Sequence, residues 1–320
     1  MSSEVTVVVP TRDRPALLAD ALTSVSAQER RAARTVVVDD GSVEPLQAPL
    51  DNAVELLRRA RSGGVAAARN HGLERVETEW VAFLDDDDLW APAKLARQLE
   101  VAAADRADFV WCAVVVVDAR RRPVGLVPAA DPGSLLPQLV RTNAIGSPSS
   151  VIARTELVRA VGGFDEELAL LADWDLWLRL AGAGRGSAAR EVLVAYTEHA
   201  GNMTTGAVGG IERELARMAE THASLIRDHG GRLGSAELVR WSVGGRRRGG
   251  GRLGAARAYL AAGVRERDGG SLVRAPAALL GEGLVGRLRG RRAARRVGSP
   301  AWLAPYARPD GAAAPIAPSA

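Results

Sequence analysis

The sequence predicts an α/β fold in which a mainly parallel sheet carries helices on both faces and is followed by a basic helical C-terminal appendage. Three observations predict it. First, short β-branched runs alternate with amphipathic helical stretches from Val5 to about Ala103, the pattern of parallel strands joined by crossover helices. Second, three of those runs end in polar residues, at Pro10–Arg12, Asp39–Ser42 and Asp85–Asp88. In such sheets ligands bind beyond the carboxyl ends of the strands. Third, charge is divided along the chain. Residues 1–239 carry 26 Lys+Arg against 34 Asp+Glu, and residues 240–320 carry 16 against 4, which marks a basic appendage on an acidic domain. The expected division is therefore an α/β domain over 1–230, a basic helical region over 231–298 and a disordered tail over 299–320.

Taken in order, Val5–Val9 reads as a buried strand ended by Pro10. After the polar turn Thr11–Arg14, Pro15 opens an amphipathic helix to about Ala27 with Leu17, Leu18, Ala21, Leu22 and Val25 on one face. Thr35–Val38 is a second strand, and Val54–Leu57 a weaker third. Gly63-Gly64 breaks the chain ahead of a helix over Val65–Glu74. Trp80–Leu84 is the next strand and Pro92–Ala103 its helix. Phe109–Val117 is a strand that the turn at Arg120–Pro123 sends back into Val124–Val127. A short helix over Gly133–Arg141, a strand at Ser149–Ala153, a helix at Thr155–Val161 ended by Gly162-Gly163, a helix through Ala172–Leu180 and a last strand at Glu191–Tyr196 complete the domain. Ile211–Asp228 reads as one charged amphipathic helix. Beyond it lie an Arg/Gly-rich linker at Gly244–Gly254, short helices at Ala255–Val264 and Leu272–Leu288, and six arginines within Arg287–Arg296. From Ser299 the chain is rich in Pro and Ala.

The composition excludes several classes. The single cysteine, Cys112, rules out an intrachain disulfide and suits a reducing compartment. The first apolar run is too short for a signal core, and no run of about 18 apolar residues predicts a membrane span. The expected location is cytoplasmic, with peripheral contact at the inner face of a membrane. Nucleic acid is an unlikely partner, because aromatics are not interleaved with the basic run.

The residues Asp85-Asp86-Asp87-Asp88 are the strongest chemical signal. Adjacent carboxylates repel one another and are expensive to bury unpaired. A bound cation relieves that repulsion, and carboxylate oxygens suit Mg²⁺ or Mn²⁺. A solvated acidic turn opening the next helix is the plain alternative. An EF-hand counted from Asp85 fails, since Trp90 and Ala96 stand where Gly and Glu are needed. A dinucleotide fingerprint is absent after the first strand.

Six motifs in order resemble an inverting family 2 glycosyltransferase of the GT-A fold, a Rossmann-like nucleotide-binding architecture, over roughly residues 4–205. They are Val7-Val8-Val9-Pro10-Thr11-Arg12, Val37-Val38-Asp39-Asp40-Gly41-Ser42, Gly63-Gly64-Val65-Ala66-Ala67-Ala68-Arg69-Asn70, Phe83-Leu84-Asp85-Asp86-Asp87-Asp88, Val161-Gly162-Gly163-Phe164-Asp165-Glu166 and Asp173-Trp174-Asp175-Leu176-Trp177-Leu178-Arg179.

The resemblance implies a nucleotide-diphosphate sugar donor, a glycan or lipid-linked acceptor in cell-envelope polysaccharide synthesis, and Mn²⁺ or Mg²⁺ as cofactor. It maps the Asp-x-Asp motif onto Asp85-Asp86-Asp87, with Asp87 on the metal and Asp85 on ribose or metal. Asp86 lines the same turn, and Asp88 caps the following helix in the plainer reading. Pro10, Thr11 and Arg12 become the floor of the nucleotide pocket. Asp40 is the expected base contact, since a carboxylate accepts from an imide N–H. Asp39 contacts ribose or holds its loop, and Arg69 reaches base or phosphate. Asp173 is the expected catalytic base. Asp175, two residues on, faces elsewhere and pairs with Arg179 at i,i+4. Trp174 and Trp177 are open to sugar stacking or to core packing. His199 stands where some relatives place a metal or diphosphate ligand. The arginine-rich region suits an anionic membrane surface. Nucleotidyl transfer and an inactive binding scaffold are the competing readings. The first lacks its glycine-rich basic loop after the first strand.

Overall fold

The computed structural model describes residues 4–46, 54–198, 208–229, 233–234 and 300–308, with isolated residues between 253 and 279. In chain order the elements are β1 (Val5–Thr11), α1 (Pro15–Ser26), β2 (Arg34–Asp39), β3 (Val54–Arg58), α2 (Val65–Leu73), β4 (Trp80–Phe83), β5 (Leu89–Trp90), α3 (Lys94–Asp105), β6 (Phe109–Val117), β7 (Pro123–Val127), α4 (Leu135–Arg141), β8 (Val151–Arg154), α5 (Thr155–Ala160), α6 (Ala172–Ala183), β9 (Gly186–Thr197), α7 (Val208–Thr221) and α8 (Ala223–Asp228). Short 3-10 turns lie at Pro132–Ser134, Pro148–Ser150 and Ala301–Tyr306.

The strands form one sheet in the order β3-β2-β1-β4-β8-β6-β9-β5, with β7 paired to β6. The half from β3 to β4 is parallel. The other half mixes the parallel pair β6–β9 with antiparallel pairs of β8, β7 and β5. Alternation along β1 divides the core. Val5, Val7 and Val9 pack under α1 and α3, while Val8 packs with Val36, Val38 and α2 on the other face. Each fully buried valine contributes about 1.5–3 kcal/mol. Gly72 lets α2 lie close to the sheet, because a Cβ there would collide with Val8.

Several boundaries differ from the sequence expectation. Pro10 lies inside β1 rather than ending it. Pairing with β4 stops at Val8, while pairing with β2 runs on through Pro10 to Thr11, so Pro10 sits where one flank of the strand has no ladder to break. The expected helix over 211–228 is two helices, interrupted at His222. The expected disordered tail is corrected at its start. Residues 301–306 form a 3-10 turn whose Leu303 is 1% exposed, packed with Leu89, Val115, Val117 and Ala195. The expected linker at 244–254, the arginine run at 287–296 and most of the two intervening helices lie outside the described residues.

Candidate active site

The ends of β1, β2 and β4 meet at one edge, as the polar strand ends suggest. Thr11 donates its hydroxyl to Asp86 Oδ2 at 2.7 Å. Pro10 is buried in the strand, and Arg12 is exposed and donates to Ser62 at 3.2 Å. At the end of β2, Asp39 is buried, accepts the Ser42 N–H at 2.8 Å and pairs with Arg58 at 3.1 Å. It therefore clasps its own turn, where Gly41 adopts φ +73°.

Asp40 does more structural work than the base contact expected of it. Its carboxylate accepts from the Ser62 hydroxyl at 2.7 Å and from the N–H groups of Gly63 and Gly64 at 3.0 and 2.9 Å. Arg59 Nε lies 2.9 Å away. An ionised carboxylate offers about four acceptor positions, and three of them are taken by these hydrogen bonds, with the Arg59 charge beside them. A nucleobase contact through Asp40 would have to use the acceptor position that remains. The geometry makes Asp40 the anchor of the loop that leads into α2.

The acidic run alternates in burial. Asp86 and Asp88 are buried, while Asp85 and Asp87 are partly open. Asp85 pairs with Arg69 at 2.5 Å, and the Arg69 guanidinium lies 5.1 Å from the centre of the Phe164 ring. Arg14 bridges Asp86 and Asp87 at 3.4 and 3.2 Å. Burial pushes Asp86 up to about 7, helped by the neighbouring charge of Asp87 and opposed by Arg14 and Thr11. Asp88 is likewise raised by burial and by the charges of Asp87 and Asp85. Asp88 does not cap α3, which begins only at Lys94. It accepts from Ser149 at 2.6 Å, Ser147 at 3.1 Å and the Thr197 N–H at 3.1 Å, so it ties the acidic loop to the turn before β8 and to the end of β9.

Two further side chains fix this loop from behind. Arg121 Nη1 donates to the Asp87 carbonyl at 2.7 Å, and so does the Thr197 hydroxyl at 2.5 Å. Sequence reasoning placed Arg121 only in a turn. Nothing in a run of three arginines before a proline distinguishes the one that turns inward. Arg14 was read as part of a polar turn, and its position four residues past Pro10 is the only signal that it borders the site.

Asp173 lies in the first turn of α6, partly buried. It accepts the Trp174 N–H at 2.7 Å and the Asn143 amide at 3.1 Å. Burial raises it to about 6, against the pull of Arg69, the Trp174 N–H and Asn143, and with a push from Asp85. Asp175 points away, as helical spacing requires. It pairs with Arg179 at 2.8 and 2.5 Å and with His222 Nε2 at 2.7 Å. Burial works to raise it, but the His222 and Arg179 contacts hold it below the usual carboxylate range. Both tryptophans of the motif are core residues: Trp174 donates to the Leu139 carbonyl at 2.7 Å and Trp177 to Gly146 at 3.3 Å.

Arg69, Asp85, Asn143 and Asp173 all line one cavity of about 330 Å³. Among the described residues, no three His, Cys, Asp or Glu side chains converge as a ready metal cage. His199 lies outside the described residues.

The sequence model described as Glycosyl transferase family 2 matches residues 6–154. Over those residues, just under half of its length, the chain is similar to glycosyl transferase family 2. The family match takes in the strand ends and the acidic run and stops before α6. Among curated proteins, the chain is 34% identical over 191 residues to the pre-mycofactocin glycosyltransferase of Mycobacterium tuberculosis, covering 57% of this chain and 40% of that protein. It is 34% identical over 126 residues to succinoglycan biosynthesis protein ExoW of Rhizobium meliloti, covering 37% and 40%. The chain thus spans about two fifths of the length of these relatives. Among solved structures, S. aureus TarS 1-349 covers 92% of this chain and 90% of its own at 18% identity, with a TM-score of 0.55. The same protein in complex with UDP-GlcNAc gives the same values. That likeness establishes a GT-A-like mixed α/β fold for this chain.

Proposed function

We propose that this chain transfers a sugar from a nucleotide-diphosphate donor to an acceptor hydroxyl by one inverting displacement. The observation that carries the reading is that Asp173, raised to about 6, lines the same cavity as the Arg69–Asp85 pair. A base with that value is ionised near neutrality yet still accepts a proton readily. The acceptor oxygen attacks the anomeric carbon as its proton passes to the Asp173 carboxylate. The bond from that carbon to the diphosphate breaks with its electron pair staying on the leaving group. Asn143 holds the Asp173 carboxylate in place, and Arg69 supplies positive charge beside it.

The donor set fits a divalent cation. Asp85 and Asp87 are the two partly open carboxylates of a crowded run, and a Mg²⁺-type ion needs only one or two protein carboxylates beside substrate phosphates. Asp85 and Asp87 would hold Mn²⁺ or Mg²⁺, with His199 a further candidate from sequence. When bound, the ion would neutralise charge on the departing diphosphate. The nucleotide would lie over Pro10–Arg12 and the Asp39–Asp40 edge. Support for a nucleotide-sugar donor comes from the UDP-GlcNAc complex of TarS; the ExoW relative is named for succinoglycan biosynthesis, a name that specifies no acceptor group.

The test is thermal stability against a panel of nucleotides and nucleotide sugars, with and without Mn²⁺, for wild type and Asp87→Ala. A ligand that binds only the folded state raises Tm. We expect a Mn²⁺-dependent rise of several degrees for one nucleotide, lost in Asp87→Ala. No shift for any nucleotide in a folded preparation would replace this reading with an inactive scaffold. Among the described residues no helix is long and apolar enough to cross a membrane. Contact of the arginine-rich region with an anionic surface is part of the proposal, and co-sedimentation with phosphatidylglycerol vesicles, weakened by salt, would check it.

A further inference from the structure

The cavity beside Asp173 has an uneven chemistry. Its charged groups are the Arg69–Asp85 pair and Asp173. Of its other polar side chains, Asn143 is spent on Asp173 and the Gly146 carbonyl, and Ser147 on Asp88. The rest of the wall is mostly apolar, with Val114, Val116, Val127, Ile145, Pro148 and Leu170 supplying much of it and Tyr196 adding an aromatic ring that carries a hydroxyl.

Sheet geometry builds this wall. Alternate residues of a strand share a face. Val115 and Val117 of β6 pack on the far face with Leu303, which leaves Val114 and Val116 on the cavity side. Val127 of β7 lies opposite Val114, and Tyr196 of β9 lies opposite Val116. Three adjacent strands therefore present one largely apolar floor, and Leu170 closes it from the segment that leads into α6.

The charged groups of the cavity, Arg69, Asp85 and Asp173, serve the donor, its cation and the reacting hydroxyl. A second sugar ring in the remaining space would set several hydroxyls against valine and leucine, where buried polar groups go unpaired at a cost. Resting on the transfer reading above, the geometry points to an acceptor whose reacting hydroxyl is carried on an apolar body, an aromatic or branched aliphatic alcohol, rather than on a sugar ring. The apolar body lies on the β6–β7–β9 floor, and its hydroxyl reaches Asp173.

The full chain with Mn²⁺ is assayed for release of nucleoside diphosphate from UDP-GlcNAc, UDP-glucose, GDP-mannose and dTDP-rhamnose. Each donor is run without acceptor, with 4-propylphenol or cyclohexylmethanol, and with methyl β-glucoside or maltose. The apolar alcohols should raise release at least tenfold over the acceptor-free rate, and the sugars should leave it within twofold. Val127 is 37% exposed on a strand paired only to β6, so Val127→Asn should fold, and it should raise KM for the apolar alcohol several-fold. Acceleration by the sugars instead, or by neither class while a donor is cleaved, overturns the proposal. If no donor is cleaved, the transfer reading fails separately. Saturation-transfer NMR then decides the cavity: 4-propylphenol should bind wild type and bind Val127→Asn more weakly, and a probe that does not bind wild type overturns the proposal.

Discussion

Asp173 and Asp40 show how one residue type takes opposite roles through its surroundings. Asp173 is partly buried with few donors, so its carboxyl rises to about 6, whereas an unfolded Asp titrates near about 3.9. The native state therefore holds the proton more tightly. Stability from this group is full below about pH 4 and is lost as pH rises through about 6, an effect on the order of 3 kcal/mol. Asp173→Asn removes that loss. Relative to wild type its Tm should climb by about 5 °C between pH 4 and pH 8, read by calorimetry across that range, while transfer falls at least 1,000-fold. Wild-type kcat/KM should rise with pH through about 6, the limb expected of a base that must be ionised. A variant with unchanged activity would remove Asp173 from the mechanism. The split between Asp173 and Asp175 was legible in the sequence, because helical spacing sends residues two apart to different faces. The anchoring role of Asp40 was not. Its donors Ser62, Gly63 and Gly64 and its ion-pair partner Arg59 lie some twenty residues away, and they reach it only once α2 has packed on the sheet.

At the scale of elements, α6 is held by contacts from α7 and from the α7–α8 junction that no local pattern announces. Glu214 accepts the N–H groups of Ala169, Leu170 and Leu171, at 3.0, 3.0 and 2.9 Å. It fastens the segment that enters α6 and carries Asp173 to the cavity. In the sequence Glu214 is one more charge on an amphipathic face, since its partners lie more than forty residues earlier. Glu214→Ala leaves those donors without their charged acceptor and should cost about 1–3 kcal/mol. Because the base moves with the segment, kcat should fall by tenfold or more with the donor KM nearly unchanged. Steady-state kinetics beside a denaturant curve would separate that outcome from simple destabilisation, in which kcat per folded molecule stays constant. His222 braces the other side through Asp175. Asp175 is held below its usual range, so its stabilisation is present above the unfolded value and lost as pH falls through the folded one. Asp175→Asn should flatten the acid limb of the stability curve and weaken the pairs with both His222 and Arg179. The strand ends and the sheet order through β4 could be anticipated because each strand carries its own β-branched run. The break at His222 could not, because the Asp175 side chain that it contacts lies far back in the chain.

For the whole molecule, the chain returns at its far end to support the acidic loop. Leu303 packs against β5, β6 and β9, and Arg308 pairs with Asp20 of α1 at 2.7 Å and donates its N–H to the Arg120 carbonyl. Arg121 sits beneath this cover and holds the Asp87 carbonyl. A stretch rich in Pro and Ala reads as tail because its apolar residues show no periodicity, and its partners lie from about one hundred to nearly three hundred residues back. Leu303→Asp would place a carboxylate in that apolar contact. Burying an unpaired charge and losing the leucine together cost several kcal/mol, so the variant should lose several degrees of Tm. If the cover also positions the loop, the Mn²⁺-dependent nucleotide shift should shrink by more than half at a temperature where the variant is fully folded. Arg121→Ala should reproduce that loss of shift, since it removes one of the two donors that hold the Asp87 carbonyl. Loss of Tm in Leu303→Asp with the full nucleotide shift retained would confine the C-terminal turn to stability, and would leave Arg121 and Thr197 to hold the loop without it.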